Sequence, residues 1–574
     1  MDGNSVFTIQ PYHGAPALFR EGEPVFPLFF WQKTVEETDG KAFHEAGVRL
    51  FSFFCSYHYA AHPYWVGENE YDFEMFDREI GLFHSRFPDA FCIPRIFVWA
   101  PEWWLAKHPS ERCGFALGDG SLTGVEGDWQ GTNHESFASE LWKKEMGEAF
   151  RQAVRHLGNA PYAKCILGIH VCGGIFGEWP LWNPSLAPDT SDPMRKRFGR
   201  EIPPPEKRSA EYLRCLNDAT VEAIDHFCSI VKEESHFLTA VFYGYIPDLT
   251  GNWWRIEGDH RAPEKMHRLK SVDIVSAPHS YLRRAIGQDA YFRNYPASLA
   301  LHGKLFLDEG DDRTHCDPCH GKDTPGTPST LWESVQILRR EFGNMLTHNI
   351  GLWYMDLNGG NFRDESLMSA IRELVPWGER AMKLSRRRNA EVAVVASVAG
   401  ELGLPQRRSP GNLHFEALFD TQVKELCISG APFDFYVSAD LESEVMEKYK
   451  LILLLDVSTL TPEEELALRD LRTKTVVREI GKNILPAAEL RTLYRSAKVH
   501  VYSESDDVFS VSESTMMLHA SREGEKKLSL PEERYVTEIP SGKELGNTRE
   551  IRGFLRMGET ALYLLEPKKQ KEIQ

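Results

Sequence analysis

Short apolar runs alternate with helix-period segments through the first two-thirds of the chain. The runs are Val25–Trp31, Val48–Phe54, Phe91–Trp99, Ile166–Val171, Leu238–Tyr245, Val272–Ala277, Lys304–Glu309 and Ile350–Asp356. Each is short enough for a strand and has the continuous apolar character of one buried on both faces. Between them lie helical patterns at Thr34–Ala46, Phe73–Phe87, Ser136–Leu157, Ala210–Lys232, Ser329–Thr347 and Ser366–Met382. In the second, apolar residues recur at Phe73, Phe76, Ile80 and Phe83, near the 3.6-residue period. Strand–helix alternation predicts a parallel sheet, and eight repeats predict a closed (β/α)8 barrel over residues 1–385. Residues 1–25 read as a lead-in with a turn at Glu21–Pro24. The long loops Cys113–Thr132 and Trp179–Pro205, and that after the seventh strand, follow strand C-termini, where barrels of this kind build their sites.

A basic run, Lys383–Arg388, marks a boundary and reads as a solvated helix end or linker. Beyond it, Ala390–Val398 and Leu451–Leu455 read as buried strands, and Leu413–Ile428 and Pro462–Leu471 as helices, the latter with Thr461 as its N-cap. This predicts a small flavodoxin-like α/β domain over 386–498. It carries no GxGxxG or GxxxxGK[ST] loop, so nucleotide binding is not expected of it. From residue 499 the pattern turns to short alternating strands, Val499–Tyr502, Met516–Ala520 and Thr560–Leu565, and predicts a small antiparallel β-sandwich over 499–574.

Composition narrows the function. The chain has 574 residues, 42% hydrophobic and 26% charged, with a formal net charge of -18. That balance argues against nucleic acid or an anionic membrane as partner, since no positive field offsets the phosphates. No apolar run suits a membrane span, and the N-terminus lacks the apolar core of a secretory signal. The ten scattered cysteines, several inside apolar runs, fit reduced buried thiols, so a cytoplasmic location is expected. All 14 tryptophans lie between Trp31 and Trp377. The first two-thirds is therefore chemically distinct, and tryptophan-rich clefts suit sugar stacking.

The chemistry concentrates at two strand ends. The fourth strand runs into GGIFGEW, which sets Glu178 beside the indole of Trp179: a proton-transfer group next to a flat apolar face. The seventh, KLFLDEGDD, ends on Asp308 and Glu309. Retaining glycoside hydrolysis needs two such carboxyls flanking the bond, one as nucleophile and one as acid then base. Alternation along a strand lets only one of Asp308 and Glu309 face a substrate, and Glu309 is the chosen nucleophile.

These segments resemble the clan A glycoside hydrolases, whose catalytic glutamates end the fourth and seventh strands, and most nearly the family 42 β-galactosidases and related β-glycosidases. GVRLFSFF with YDFEMFDREI resembles that family's second strand and following helix. GIHVCGGIFGEW resembles its acid/base segment, FLDEGD its nucleophile segment, and the three-part layout also matches. The resemblance implies Glu309 as an ionised nucleophile, Glu178 as acid/base, a cofactor-free mechanism, an oligosaccharide or β-glycoside substrate, and a homotrimer built through the middle domain. One departure is Gly177, where clan A places an asparagine that contacts the sugar 2-hydroxyl. It leaves β-mannosidase or another β-glycosidase as the alternative to β-galactosidase. A catalytically inactive carbohydrate-binding barrel is the alternative of another class, and an inverting hydrolase a further one.

Further candidates for substrate binding are Arg95 and Trp99 on and after the third strand, His58 after the second, Tyr245 ending the fifth, His279 after the sixth, and Trp353 and Asp356 on the eighth. Of Trp99, Trp103 and Trp104, two are expected to be packing. The run His315-Cys316-Asp317-Pro318-Cys319-His320 has a CxxC with flanking histidines, but the chain holds no second CxxC to complete a zinc set. It reads as a plain loop, and no metal is expected.

Overall fold

A computed structural model describes residues 6–36, 39–55, 63–116, 122–123, 134–181, 187–204, 207–245, 260–317, 326–357, 359–397, 421–455, 457, 460–480 and 483–570. Eight parallel strands close into a barrel in sequence order. Labelled β1 to β8, they are Leu28–Gln32, Leu50–Phe54, Phe91–Phe97, Gly168–Cys172, Leu238–Phe242, Ile274–Pro278, Leu305–Gly310 and Gly351–Asp356. Each of the eight runs singled out in the sequence overlaps one of them, and β1, β4, β6 and β7 extend one residue past their runs at the C-terminal end. Beyond its first residue in β3, every strand position is buried, which is why the strands read as continuous apolar runs.

Helices follow each strand: α1 (Asp39–Glu45), α2 (Glu74–Arg86), α3 (Glu140–Asn159), α4 (Ala210–Glu234), α5 (Pro263–Met266), α6 (Pro296–Leu301), α7 (Leu331–His348) and α8 (Glu365–Met382). Side-chain caps start the long ones, with Ser139, Ser209, Thr330 and Asp364 each accepting a backbone N–H of the first turn. Among the described residues no helix is long and apolar enough to cross a membrane.

The lead-in is itself a sheet. Phe7–Tyr12, Ala15–Arg20 and Glu23–Val25 pair antiparallel. Its turns are His13-Gly14 (φ 51° and 109°) and Glu21-Gly22 (φ 52° and 87°), with both central residues left-handed as two-residue hairpins require.

Beyond the barrel, Val392–Ala396, Phe433–Val437, Leu451–Leu454 and Val476–Glu479 form a parallel sheet in spatial order 2-1-3-4, the order in which a flavodoxin-like sheet begins. Helix Pro462–Lys474 starts with a full capping box between Thr461 and Glu464. Of the predicted helix Leu413–Ile428, residues 421–428 lie within the described residues, and Gln422–Cys427 of them are helical. The basic run is solvated only in part: Lys383, at the end of α8, and Arg387 are exposed, but Arg386 and Arg388 are not. Arg386 is buried, and its guanidinium donates to the Asn349 carbonyl. Arg388 pairs with Asp434 at 2.9 Å and donates to the carbonyls of Thr347 and Phe433. These arginines fasten the α/β sheet to the end of α7.

The last segment is one five-stranded antiparallel sheet, Val508–Val511, Thr515–His519, Gly524–Ile539, Glu544–Leu555 and Thr560–Pro567. One face, with Met517 and Leu562, packs on α7, and the other, with Met516 and Leu518, forms a separate core with Leu528, Leu530 and Ile551 of the long hairpin. Gly343 of α7 leaves room for Met517 and Leu562, and Thr560 bonds Gln336 through both its N–H and its hydroxyl at 2.8 Å. Val499–Tyr502 joins no strand; the Tyr502 N–H donates to the Gly430 carbonyl instead.

Candidate active site

Strand β4 ends at Cys172, and the chain then makes a tight excursion before Glu178. The backbone is left-handed at Gly174 (φ 63°), Phe176 (φ 56°), Gly177 (φ 78°) and Trp179 (φ 71°). Gly174, at ψ -163°, occupies a region open essentially to glycine alone. The excursion folds back on itself, with the Trp179 N–H donating to the Gly173 carbonyl at 2.7 Å and Glu178 bridging Gly173. Glu178 is thereby returned to the strand's end. Phe176 and Trp179 hold a conformation that costs about 1–3 kcal/mol each, and packing over-determines it. Trp179 is fully buried against Phe137 and Phe227, and its indole N–H donates to the Val171 carbonyl at 3.1 Å. It is an anchor in the core and offers no face to a sugar, against the expectation from its neighbour Glu178.

Gly177 has a steric reason. A Cβ there would lie 2.6 Å from Phe97 and 2.7 Å from the Cys172 Cβ. The asparagine of the clan A pattern does not fit at this point of the excursion.

On β7, alternation separates Asp308 from Glu309. Asp308 turns outward to His279 and the helix layer. Glu309 turns inward, buried, beside Trp353 in register on β8 and Pro278 on β6. Burial raises the Glu309 carboxyl well above the usual range, and the charges of Glu178 and Asp311 add to that, against Arg95 and Arg284. Burial likewise pushes Glu178 up to about 7, opposed by Arg95, by a hydrogen bond from the Tyr245 hydroxyl and by Arg293. The two glutamates thus sense each other's charge in a desolvated site. Near neutral pH such a pair retains a proton; at Glu309 the direction of the shift opposes the ionised nucleophile expected from the sequence, and Arg95 and Arg284 are the groups that favour its ionised form.

Arg95 of β3 lies among these groups. Its guanidinium donates to the Phe176 carbonyl at 2.8 Å, tying it to the excursion, and sits over the rings of Phe54 and Phe242 at 4.5 and 4.9 Å. Trp99, half-buried, donates its indole N–H to the Gly174 carbonyl at 2.8 Å, so it buttresses the same excursion from outside. Trp103 and Trp104 are packing residues, bonded to the Trp65 carbonyl and to Glu145. Tyr245 hydrogen-bonds Glu178 and also lies within reach of the Glu309 charge. Trp353 lines the barrel interior against Phe242 and His170.

Two candidates are turned elsewhere. His279 is fully buried, with Nε2 2.9 Å from Asp312 and Nδ1 3.4 Å from Asp308 and 3.5 Å from Glu341 of α7. Asp356 accepts the N–H groups of Gly359 and Asn361, shaping the loop after β8. Both are engaged by the protein's own groups where a sugar hydroxyl was expected. His58 lies outside the described residues.

The structure adds Asp311, Arg293, Tyr281 and Arg284. Tyr281 donates to Asp311 at 3.0 Å, and Arg284 donates to the Asp311 carbonyl and lies over the Tyr281 ring at 4.0 Å. Arg293 stacks over Tyr245 and Tyr281 at 4.8 and 5.1 Å. His260 completes the wall, bonded to the Glu178 carbonyl at 2.9 Å. Asp311 had a signal, its place two residues past Glu309. The others come from loops whose course no local pattern predicts.

No family model and no curated protein matches the chain. Solved structures do share its fold. A β-galactosidase from Marinomonas ef1 is 11% identical, with 95% of this chain and 100% of that one covered and a TM-score of 0.63. For a β-galactosidase from Bacillus circulans sp. alkalophilus the identity is 11%, the coverage 94% and 99%, and the TM-score 0.64. For an α-L-fucosidase isoenzyme 2 from Paenibacillus thiaminolyticus they are 10%, 95% and 100%, and 0.61. The alignments run nearly end to end, so the barrel and both following parts belong to one shared architecture.

Proposed function

We propose that this protein is a glycoside hydrolase acting by retaining double displacement, with Glu309 as nucleophile and Glu178 as acid/base. The observation that carries the reading is the electrostatic coupling of a half-buried Glu178 and a buried Glu309, delivered by the ends of β4 and β7. Glu309 attacks the anomeric carbon while Glu178 protonates the departing oxygen. Water then enters, and Glu178 takes its proton as the glycosyl–Glu309 bond breaks. Arg95 stabilises negative charge on both carboxyls, and Trp99 is the candidate sugar-stacking surface, Trp353 being fully buried in the barrel. The substrate class we favour is a terminal β-galactoside, as in the β-galactosidases of the same fold. Gly177 favours a second reading, a β-mannoside or another β-glycoside, because the usual partner of the sugar 2-hydroxyl has no room.

A panel of nitrophenyl glycosides tests this: β-galactoside, β-mannoside, β-glucoside and α-L-fucoside. Turnover of one of them, abolished in E178A and E309A, is the expected result. Sugar binding with no turnover of any, unchanged in E309A, would mark a binding barrel. We also propose a homotrimer through the part that follows the barrel. Light scattering at micromolar concentration should return three times the 65.6 kDa chain mass, and a monomer refutes it.

A further inference from the structure

The loop after β7 and the N-terminus of α8 meet at His315, Cys316 and Asp364. We propose that His315 Nε2, Cys316 Sγ and Asp364 Oδ2 are ligands of a zinc ion that clamps these two segments together. The His-Cys-Asp-Pro-Cys-His run lacked a ligand set as sequence; the structure supplies Asp364, 49 residues from His315.

Three observations carry it. The first is convergence. Nε2 of His315 lies 3.1 Å from Asp364 Oδ2 and 3.3 Å from Cys316 Sγ, and the three ligand atoms all fall within 4.8 Å of one another. A tetrahedral zinc with N, O and S ligands at ~2.0–2.3 Å sets edges of about 3.3 Å from N to O and about 3.5 Å from N to S. The second is the tautomer. Ser334 Oγ gives its proton to the Thr330 carbonyl at 3.1 Å and so accepts from His315 Nδ1 at 3.0 Å. With hydrogen on Nδ1, a neutral ring turns its Nε2 lone pair to a carboxylate oxygen and a thiol sulfur, an arrangement that a shared cation completes. Such an outer hydrogen bond is how ligating histidines are oriented. The third is the division of labour on Asp364. Its Oδ1 caps α8, accepting the Ser366 N–H at 2.8 Å, and Oδ2 is directed to His315. A nitrogen, sulfur and oxygen set selects zinc over magnesium or calcium. Thr314 already bonds Asn361 across the same two loops at 2.8 Å, so the ligands are brought together before the metal arrives. Cys316 loses its thiol proton as the Zn–S bond forms. The fourth position falls to water or to another residue of the chain.

The test uses the full chain equilibrated with zinc chloride at micromolar free metal and desalted. One zinc per chain is expected, falling at least tenfold in C316S. D364N, which keeps a capping side chain, should bind zinc more weakly, and S334A should lose about 10–100-fold in affinity. Cobalt(II) chloride should give a near-ultraviolet thiolate-to-metal band in the wild type, a reading that stands even if C316S does not fold. A chain that takes up no zinc and shows no cobalt band overturns the proposal and leaves an imidazolium–carboxylate pair in its place. Undiminished zinc in folded C316S overturns it as well. None of these readings depends on glycosidase activity.

Discussion

The placement of Glu178 and Glu309 was legible because each follows or ends a strand, and because alternation forbids Asp308 from sharing the face of Glu309. Their environment was not legible: Arg293 and Tyr281 arrive on a loop after β6, and only the folded chain brings them to the pair. The pair's proton sets the pH dependence. In the mechanism we propose, Glu178 must be protonated to donate, and its carboxyl is pushed up to about 7, so kcat/KM should fall as pH rises through that value. In E178Q, assayed with a dinitrophenyl leaving group that needs no proton, the alkaline limb should vanish. A limb unchanged in E178Q would assign it to another group. Gly177 makes a second residue-scale prediction. Asparagine tolerates a positive φ better than most residues, so the cost of G177N is steric: a Cβ 2.6 Å from Phe97 and 2.7 Å from Cys172. We expect a loss of about 1–3 kcal/mol in urea unfolding, with no gain in activity. A stability equal to wild type would show that the excursion relaxes at no cost.

At the scale of elements, the eight barrel strands were legible from apolar runs bounded by turns, since burial on both faces leaves no polar alternation to confuse. The C-terminal hairpin Gly524–Ile539 and Glu544–Leu555 was not, because its charged positions face solvent along much of its length. His279 shows why a histidine at a strand's end is ambiguous. Burial alone would keep its ring neutral, but Glu341, Asp312 and Asp308 outweigh that and raise its pKa well above the ordinary value. Arg340 and Arg284 face the same carboxylates. This cluster joins β6, β7 and α7, and thereby fixes the strand that carries Glu309. Removing the central cation leaves buried carboxylates uncompensated, at a cost of about 3–5 kcal/mol. H279Q should shift the urea midpoint accordingly. A shift equivalent to less than about 1 kcal/mol, within the range of surface pairs, would mean that the cluster reorganises around the loss.

On the scale of the whole molecule, the three parts form one packed body. Arg388 ties the α/β sheet to α7, and the last sheet packs one face on the other side of α7. A boundary was visible near residue 385 as a change of pattern, but Arg386 and Arg388 of its basic run turned out to be a fastening. Charge along a chain does not say whether carbonyls and carboxylates wait for it. The shared architecture with β-galactosidases and an α-L-fucosidase extends over all three parts, yet it leaves the reaction to the two glutamates. The most direct test is azide rescue of E309A, using whichever panel β-glycoside the wild type turns over fastest, with the anomeric configuration of the glycosyl azide read by proton NMR. With the nucleophile removed, azide should attack from the vacated face, restoring turnover and giving the α-glycosyl azide. An E309A variant as active as wild type, or a β-glycosyl azide as product, would contradict the account.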